Sequence, residues 1–132
     1  MPAYQAAETV EPVIRGILLH VPRVLVVDDG SADATAIRAA QARAQVLSLP
    51  ENSGKGSAIR AGLARLLASD ATHVAFVDSD GQHDPRDLPM LLQAAREGDD
   101  FVIGSRMARP EETPAVRYRT NEIGRASCRE RV

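Results

Sequence analysis

The sequence predicts an α/β fold, an open and mostly parallel sheet with flanking helices, and three observations predict it. Short, largely apolar runs alternate with segments of helical period. The runs recur about every 25 residues, the spacing of βαβ units. Asp, Gly and Ser gather where the runs end, and ligands collect at the carboxyl ends of strands in such sheets. The runs are Arg23–Val27 leading into Asp28, Val46–Leu49 into Pro50, Val74–Val77 into Asp78, and Phe101–Ile103 into Gly104. Continuous apolar runs suit strands covered on both faces.

The helices between them follow from a period near 3.6. Val10, Val13, Ile14, Ile17 and Leu18 form one stripe, and Ile59, Leu63, Leu66 and Leu67 another. Leu88, Leu91, Leu92 and Ala95 mark a helix from Arg86 to Glu97, with Asp84 as its cap and Pro85 at its first position. Ala34 to Arg43 is a weaker, Ala-rich helix behind Ser31 or Asp33 as N-cap.

Composition narrows the function. The 132 residues allow one domain at most, and 16 basic against 18 acidic side chains, a net charge of -2, argue against a nucleic-acid partner. Two Phe, two Tyr and no Trp leave little surface for stacking bases or sugars. No run approaches the roughly 18–20 apolar residues of a membrane span, and Met1-Pro2-Ala3 opens no signal peptide, so a cytoplasmic location is expected. The single cysteine, Cys128, has no partner for an internal disulfide. Fifteen of the basic residues are Arg, which leaves Lys55 as the only lysine.

Three segments carry chemistry. In Val27-Asp28-Asp29-Gly30-Ser31-Ala32-Asp33, two carboxylates at a strand end precede a Gly turn and a helix start. They can accept hydrogen bonds from a base or ribose; equally, Ser31 and Asp33 can cap the helix with the acidic pair merely solvated. Asn52-Ser53-Gly54-Lys55-Gly56-Ser57 is not a phosphate-binding P-loop, because Leu49 stands where its first Gly belongs and Gly56 where Ser or Thr must follow Lys. It is a flexible glycine loop that presents one cation at a helix start, either as a turn with an exposed Lys or as a ligand contact.

The third segment is Asp78-Ser79-Asp80-Gly81-Gln82-His83-Asp84-Pro85. Asp78 and Asp80 place two carboxylates at the end of an extended segment. One can hold a divalent cation while the other meets a ribose or orients metal-bound water. Hard oxygen donors, with the Gln82 amide oxygen among them, suit Mg²⁺ or Mn²⁺ carrying a diphosphate. His83 lacks a nearby Cys or second His for zinc, and an EF-hand would place Pro89 at its acidic twelfth position. Two other classes fit less well. A receiver-like signalling module with Asp78 as phosphoacceptor needs a Lys after a later strand, and none follows Lys55; a sugar nucleotidyltransferase needs a basic glycine loop where Ala3-Tyr4-Gln5-Ala6 stands.

Taken in order, these segments resemble the family 2 glycosyltransferases with the GT-A nucleotide-sugar-binding fold, and within them the dolichyl- or polyprenyl-phosphate mannose and glucose synthases. The resemblance rests on Pro2-Ala3-Tyr4-Gln5, VVDDGSADAT at 26–35, NSGKGSAIRAGL at 52–63, DSDGQHDPRDLPMLL at 78–92 and Gly104-Ser105-Arg106. It implies that Pro2, Ala3 and Tyr4 line the nucleoside, with Asp28 or Asp29 reading the base. Asp78 would contact the ribose, Ser79 would lie against the substrate, and Asp80 with Gln82 would hold the Mg²⁺ or Mn²⁺ that bridges the diphosphate. Lys55 and Arg106 would lie near phosphates, and Arg117 with Asn121 near the acceptor. Gln5 and Ala6 depart from the family's usual Asn and Glu.

The resemblance implies an inverting hexosyl transfer from a UDP- or GDP-linked sugar, with polyprenyl phosphate as acceptor. A polyprenyl phosphate is already anionic and needs no base, whereas a saccharide hydroxyl acceptor would need one. Family members begin with a complete apolar strand before the Pro-Ala-Tyr segment, so the first strand is expected to be short here and to leave its neighbours without ladder partners. The eleven residues from Glu122 to Val132 read as the translation of a sequencing adapter. The nucleotide-sugar-binding part is therefore expected over residues 1–121 and a non-native tail over 122–132, with peripheral membrane contact reserved for a longer parent chain.

Overall fold

The computed structural model describes residues 1–99 and 101–104. The chain divides into Met1–Asp100 and Phe101–Val132, and every described helix and strand lies in the first unit. In order these are β1 (Pro2–Ala3), α1 (Val10–Leu18), β2 (Leu25–Asp28), α2 (Thr35–Gln41), β3 (Gln45–Ser48), α3 (Lys55–Leu67), a 3₁₀ turn (Pro85–Asp87) and α4 (Leu88–Arg96). The strands form one parallel sheet in the order β1-β2-β3. Ala3 pairs with Asp28, and Asp28 in turn with Ser48. All three strands therefore end on one edge, and the loops that leave them share that edge.

Helices cover both faces, as the alternation of runs and stripes predicts. Val10, Val13, Ile14 and Ile17 of α1 are buried with Val24 and Val26, and with Ala39 and Ala42 from and just after α2. Val27, the next residue along β2, points the other way and meets α3. A Cβ added at Gly62 would stand 3.0 Å from Val27 Cγ2, so the missing side chain is what lets this helix lie close on the strand. Each fully buried Val or Ile here contributes roughly 1.5–3 kcal/mol. The α1 stripe carries most of them.

The far end of the chain departs from expectation. Val74–Val77 forms no strand: Val77 is buried, but Phe76 is 51% exposed and Val74 is exposed as well. β1, the strand expected to be short, has only two residues, and one is a proline without an N–H, so it offers little ladder to a fourth strand. Phe101–Ile103 is likewise no strand, with both Phe101 and Ile103 exposed. The α3 stripe also shifts by one position. Ala58 and Gly62 are its buried residues, Ile59, Leu63 and Leu66 are half-buried, and Leu67 is exposed. In α4 only Leu88 is buried, while Leu91, Leu92 and Ala95 are half-buried.

The caps follow the sequence more closely. Asp84 Oδ1 accepts the N–H of Arg86 at 2.9 Å with Pro85 behind it, although the first turn is 3₁₀ rather than α. The α2 helix departs from this: its N-cap is Ala34 with no side-chain cap bond, Asp33 instead takes the Thr35 N–H at 2.9 Å from one residue further back, and the helix is shorter than the predicted Ala34–Arg43. Ser31 does not cap that helix. Its Oγ accepts the N–H of Gln5.

Candidate functional site

Three loops meet at the carboxyl edge of the sheet and, with the segment after Val77, enclose an open cleft of about 380 Å³. Pro2 and Ala3 of β1 line it with Tyr4 from the first loop, Asp29 from the second, Asn52 and Gly54 from the glycine loop with Lys55 at the start of α3, and Asp78, Ser79 and Asp80 from the last segment. Eight residues expected at a ligand thus share one cavity: Pro2, Ala3, Tyr4, Asp29, Lys55, Asp78, Ser79 and Asp80. Asp28 and Gln82 do not line it. Arg106, Arg117 and Asn121 lie outside the described residues.

The acidic pair after β2 splits into two roles. Asp28 is buried, and its Oδ1 accepts the N–H of Ser31 at 3.2 Å, closing the turn around Gly30. Asp29 is 3% exposed and reaches across to the glycine loop. Its Oδ1 accepts the N–H of Ser53 at 2.9 Å, and its Oδ2 the N–H of Gly54 at 2.8 Å. A carboxylate taking two backbone donors fixes a loop that has no regular structure of its own. Gly30, at φ +68°, completes the junction, since a Cβ there would stand 2.5 Å from the Glu51 carbonyl carbon.

The β1 loop is tied down in the same way. The N–H groups of Gln5, Ala6 and Ala7 donate to Ser31 Oγ, Thr35 Oγ1 and Asp33 Oδ2 at 2.9, 2.8 and 3.1 Å. Thr35 is fully buried and also bonds Asp33 through its hydroxyl. These contacts hold the Asp33 carboxyl below the usual carboxylate range, the Thr35 hydroxyl foremost among them. The DGSADAT segment thus serves as an anchor for the loop that carries Tyr4.

Lys55 and Asp78 face each other across the cleft lining. Lys55 is the first residue of α3, behind Gly54 at φ +87°, and its Nζ lies 2.7 Å from Asp78 Oδ1. Asp78 leaves the buried Val77, and its N–H donates to His83 Nδ1 at 3.1 Å. Asp80 is exposed, and its Oδ1 accepts the Gln82 N–H at 2.9 Å across a turn made by Gly81 at φ +77°. The amine of Met1 continues the β1 ladder by donating to Leu25 O at 2.8 Å. Burial pushes its pKa down to about 6, against a smaller upward pull from Asp78.

These donors fit Mg²⁺ or Mn²⁺ in one respect. The described residues contain no cluster of three or more His, Cys, Asp or Glu that could enclose an ion. Such cations bind through one or two carboxylates plus substrate phosphates, and Asp80 with Asp78 at an open cleft offers that. Sequence reasoning does not single out Asn52 or Gly54, which line the cleft, nor His83 as a backbone acceptor. Their common signal is the spacing of glycine and carboxylate within each loop, which becomes readable once the loops are seen to meet.

Comparison with known proteins agrees with the geometry. Residues 1–131 match the family described as Glycosyl transferase family 2. The chain is 36% identical over 124 residues to Glycosyltransferase AglJ of Haloferax volcanii, covering 93% of this chain and 39% of that protein. It is also 36% identical over 115 residues to the polyprenol monophosphomannose synthase of Mycolicibacterium smegmatis, covering 80% and 43%. Among solved structures, the glucosyl-3-phosphoglycerate synthase of Mycobacterium tuberculosis in complex with Mn²⁺ and UDP-glucose matches with a TM-score of 0.62 at 31% identity, covering 81% of this chain and 43% of that one. The chain therefore spans about two-fifths of the length of these relatives, and it shares their GT-A architecture.

Proposed function

Since the chain belongs to glycosyl transferase family 2, we propose that its cleft binds a nucleoside diphosphate sugar and serves an inverting transfer of the hexose to a polyprenyl phosphate. The observation that carries this reading is the convergence of Asp78, Ser79, Asp80 and Lys55 with Pro2, Ala3 and Tyr4 on one cavity. Pro2, Ala3 and Tyr4 receive the nucleoside, with Asp29 beside them holding the glycine loop, while Asp78 takes the ribose side and Asp80 a divalent cation. On this reading residues 1–121 are the nucleotide-sugar-binding part, and the roles expected of Arg106 and Arg117 fall outside the described residues. A bound Mg²⁺ or Mn²⁺ would neutralise charge on the departing diphosphate.

The protein's share of the chemistry is positioning and electrostatics. In the transfer, an acceptor oxygen bonds to the anomeric carbon as the bond from that carbon to the diphosphate oxygen breaks, from the opposite face. Lys55 pairs with Asp78 at 2.7 Å, and on donor binding its Nζ exchanges Asp78 for a phosphate oxygen. An acceptor that is already an anionic phosphate needs no proton removed. The acceptor preference draws support from the named synthase of M. smegmatis, and the metal from the Mn²⁺ complex of the M. tuberculosis enzyme. Among the described residues no helix is long and apolar enough to cross a membrane. A lipid-linked acceptor then implies work at the cytoplasmic membrane face.

Titration calorimetry of the chain with UDP and with GDP, with and without Mn²⁺, tests the reading. Metal-dependent binding of one of them is expected, with an Asp80→Asn variant weakened at least about tenfold, some 1.4 kcal/mol. Binding that is equal with and without metal, or unchanged in Asp80→Asn, overturns the metal role. No binding of either nucleotide overturns the cleft assignment.

A further inference from the structure

The loop from Asp78 to Asp84 hangs between two buried anchors, Val77 and Leu88, and carries the carboxylates just assigned to the donor. Exposed acidic loops of this kind repel themselves and need internal donors and acceptors to hold a shape. Here the loop's first backbone N–H, that of Asp78, is received by a side chain from its far end, His83 Nδ1, at 3.1 Å. His83 is half-buried and does not line the cleft. Lys55 holds the other end of the same residue, the Asp78 carboxylate, at 2.7 Å.

We propose that His83 is a positioning residue, one that fixes Asp78 and the following Asp80 turn by accepting the Asp78 N–H through Nδ1. The bond closes a ring from residue 78 to residue 83 around the shorter Asp80–Gln82 turn. With the backbone of Asp78 held there, its carboxylate lies 2.7 Å from Lys55 at the cleft. A neutral imidazole accepting at Nδ1 carries its proton on Nε2, so the structure assigns the tautomer as well. His83 stands outside the cleft lining, and acts by limiting where two carboxylates can sit. Orienting contacts of this sort are worth about 10–100-fold in ligand or metal affinity.

The inference rests on the proposed nucleotide reading, and its test separates the two. In the ¹⁵N-labelled chain, a scalar coupling across the hydrogen bond between the Asp78 amide nitrogen and His83 Nδ1 reports the bond without any ligand. Three variants then vary the acceptor. His83→Asn places an amide oxygen near the position of Nδ1, His83→Gln places it one bond further out, and His83→Leu removes the acceptor. The expected result is a coupling in the unsubstituted chain, with Mn²⁺-dependent UDP or GDP affinity within about threefold in His83→Asn and weakened about tenfold or more in His83→Leu and His83→Gln. Thermal melting of all three controls for folding, because a merely structural role would scale affinity with stability and give no selective rescue by Asn.

An absent coupling overturns the inference. So does equal affinity in the Asn and Leu variants of similar melting temperature. A coupling that is present in a chain that binds neither nucleotide overturns the reading of the cleft, and with it the functional half of the inference, while the hydrogen bond itself stands.

Discussion

Two acidic loops border the same cleft of this molecule, and the same residue type does different work in each. After β2, Asp28 and Asp29 are both buried, and three of their four oxygens accept the N–H groups of Ser31, Ser53 and Gly54. In the later loop, Asp78 is half-buried and Asp80 exposed, and their carboxylates meet one lysine and one N–H. The first pair is spent on architecture, because each oxygen of Asp29 replaces the water its N–H partner would otherwise need. The second pair keeps oxygens facing the cleft, where a ligand can compete for them. A carboxylate at a strand end is therefore not a site by its chemistry alone; what matters is how much of its hydrogen-bonding capacity the protein has already used.

This contrast can be broken at its strongest point by replacing Asp29. Asp29→Ala leaves two loop N–H groups without their partner and should cost about 3 kcal/mol in urea unfolding, since bonds to charged groups are worth roughly 1.5–3 kcal/mol each. A loss below about 1 kcal/mol would show that Asp29 is not an architectural residue. Gly30→Ala probes the same junction from the backbone side. Its positive φ and the 2.5 Å approach to Glu51 predict a loss of about 2–3 kcal/mol, read as a lower urea midpoint with an unchanged slope.

The amine of Met1, which senses Asp78, sharpens the comparison by pH. Its folded pKa of about 6 lies below the ordinary 8.0. Between these values the unfolded chain binds more protons than the folded one, so stability should rise with pH from about 6 to 8, by about 2 kcal/mol, and be flat below that window. Acetylating the amine should abolish the rise, and a slope that survives acetylation would assign it to another group. The smallest expected effect is on the later loop. Asp80→Asn should leave the unfolding free energy in urea within about 0.5 kcal/mol of the original while it weakens metal-dependent nucleotide binding. A large stability loss there would place Asp80 with Asp29 rather than against it.

Much of the fold is legible in the amino-acid sequence. The α1 stripe is buried as its period requires, β2 ends on Asp28, and Asp84 caps the turn before α4. Illegible are those features that depend on a neighbour far along the chain. Val74–Val77 has the composition of a central strand, but strand status needs a partner with free N–H and C=O groups, and β1 supplies two residues. In α3 the buried positions are Ala58 and Gly62 rather than the larger Leu63 and Leu67. Close approach to Val27 favours the smallest side chains, and a hydrophobicity pattern counts them least.

The site divides along the same line. By itself the sequence determined that carboxylates, glycines and one lysine would stand at strand ends, because apolar periodicity and turn chemistry act within a few residues. It also determined the family, through five short segments kept in order. Only the tertiary structure decided that both oxygens of Asp29 accept from donors 24 and 25 residues away, that Lys55 meets Asp78, and that His83 turns inward to hold the Asp78 backbone. A hydrogen bond has two ends, and a local pattern shows one of them. The other end arrives with the fold.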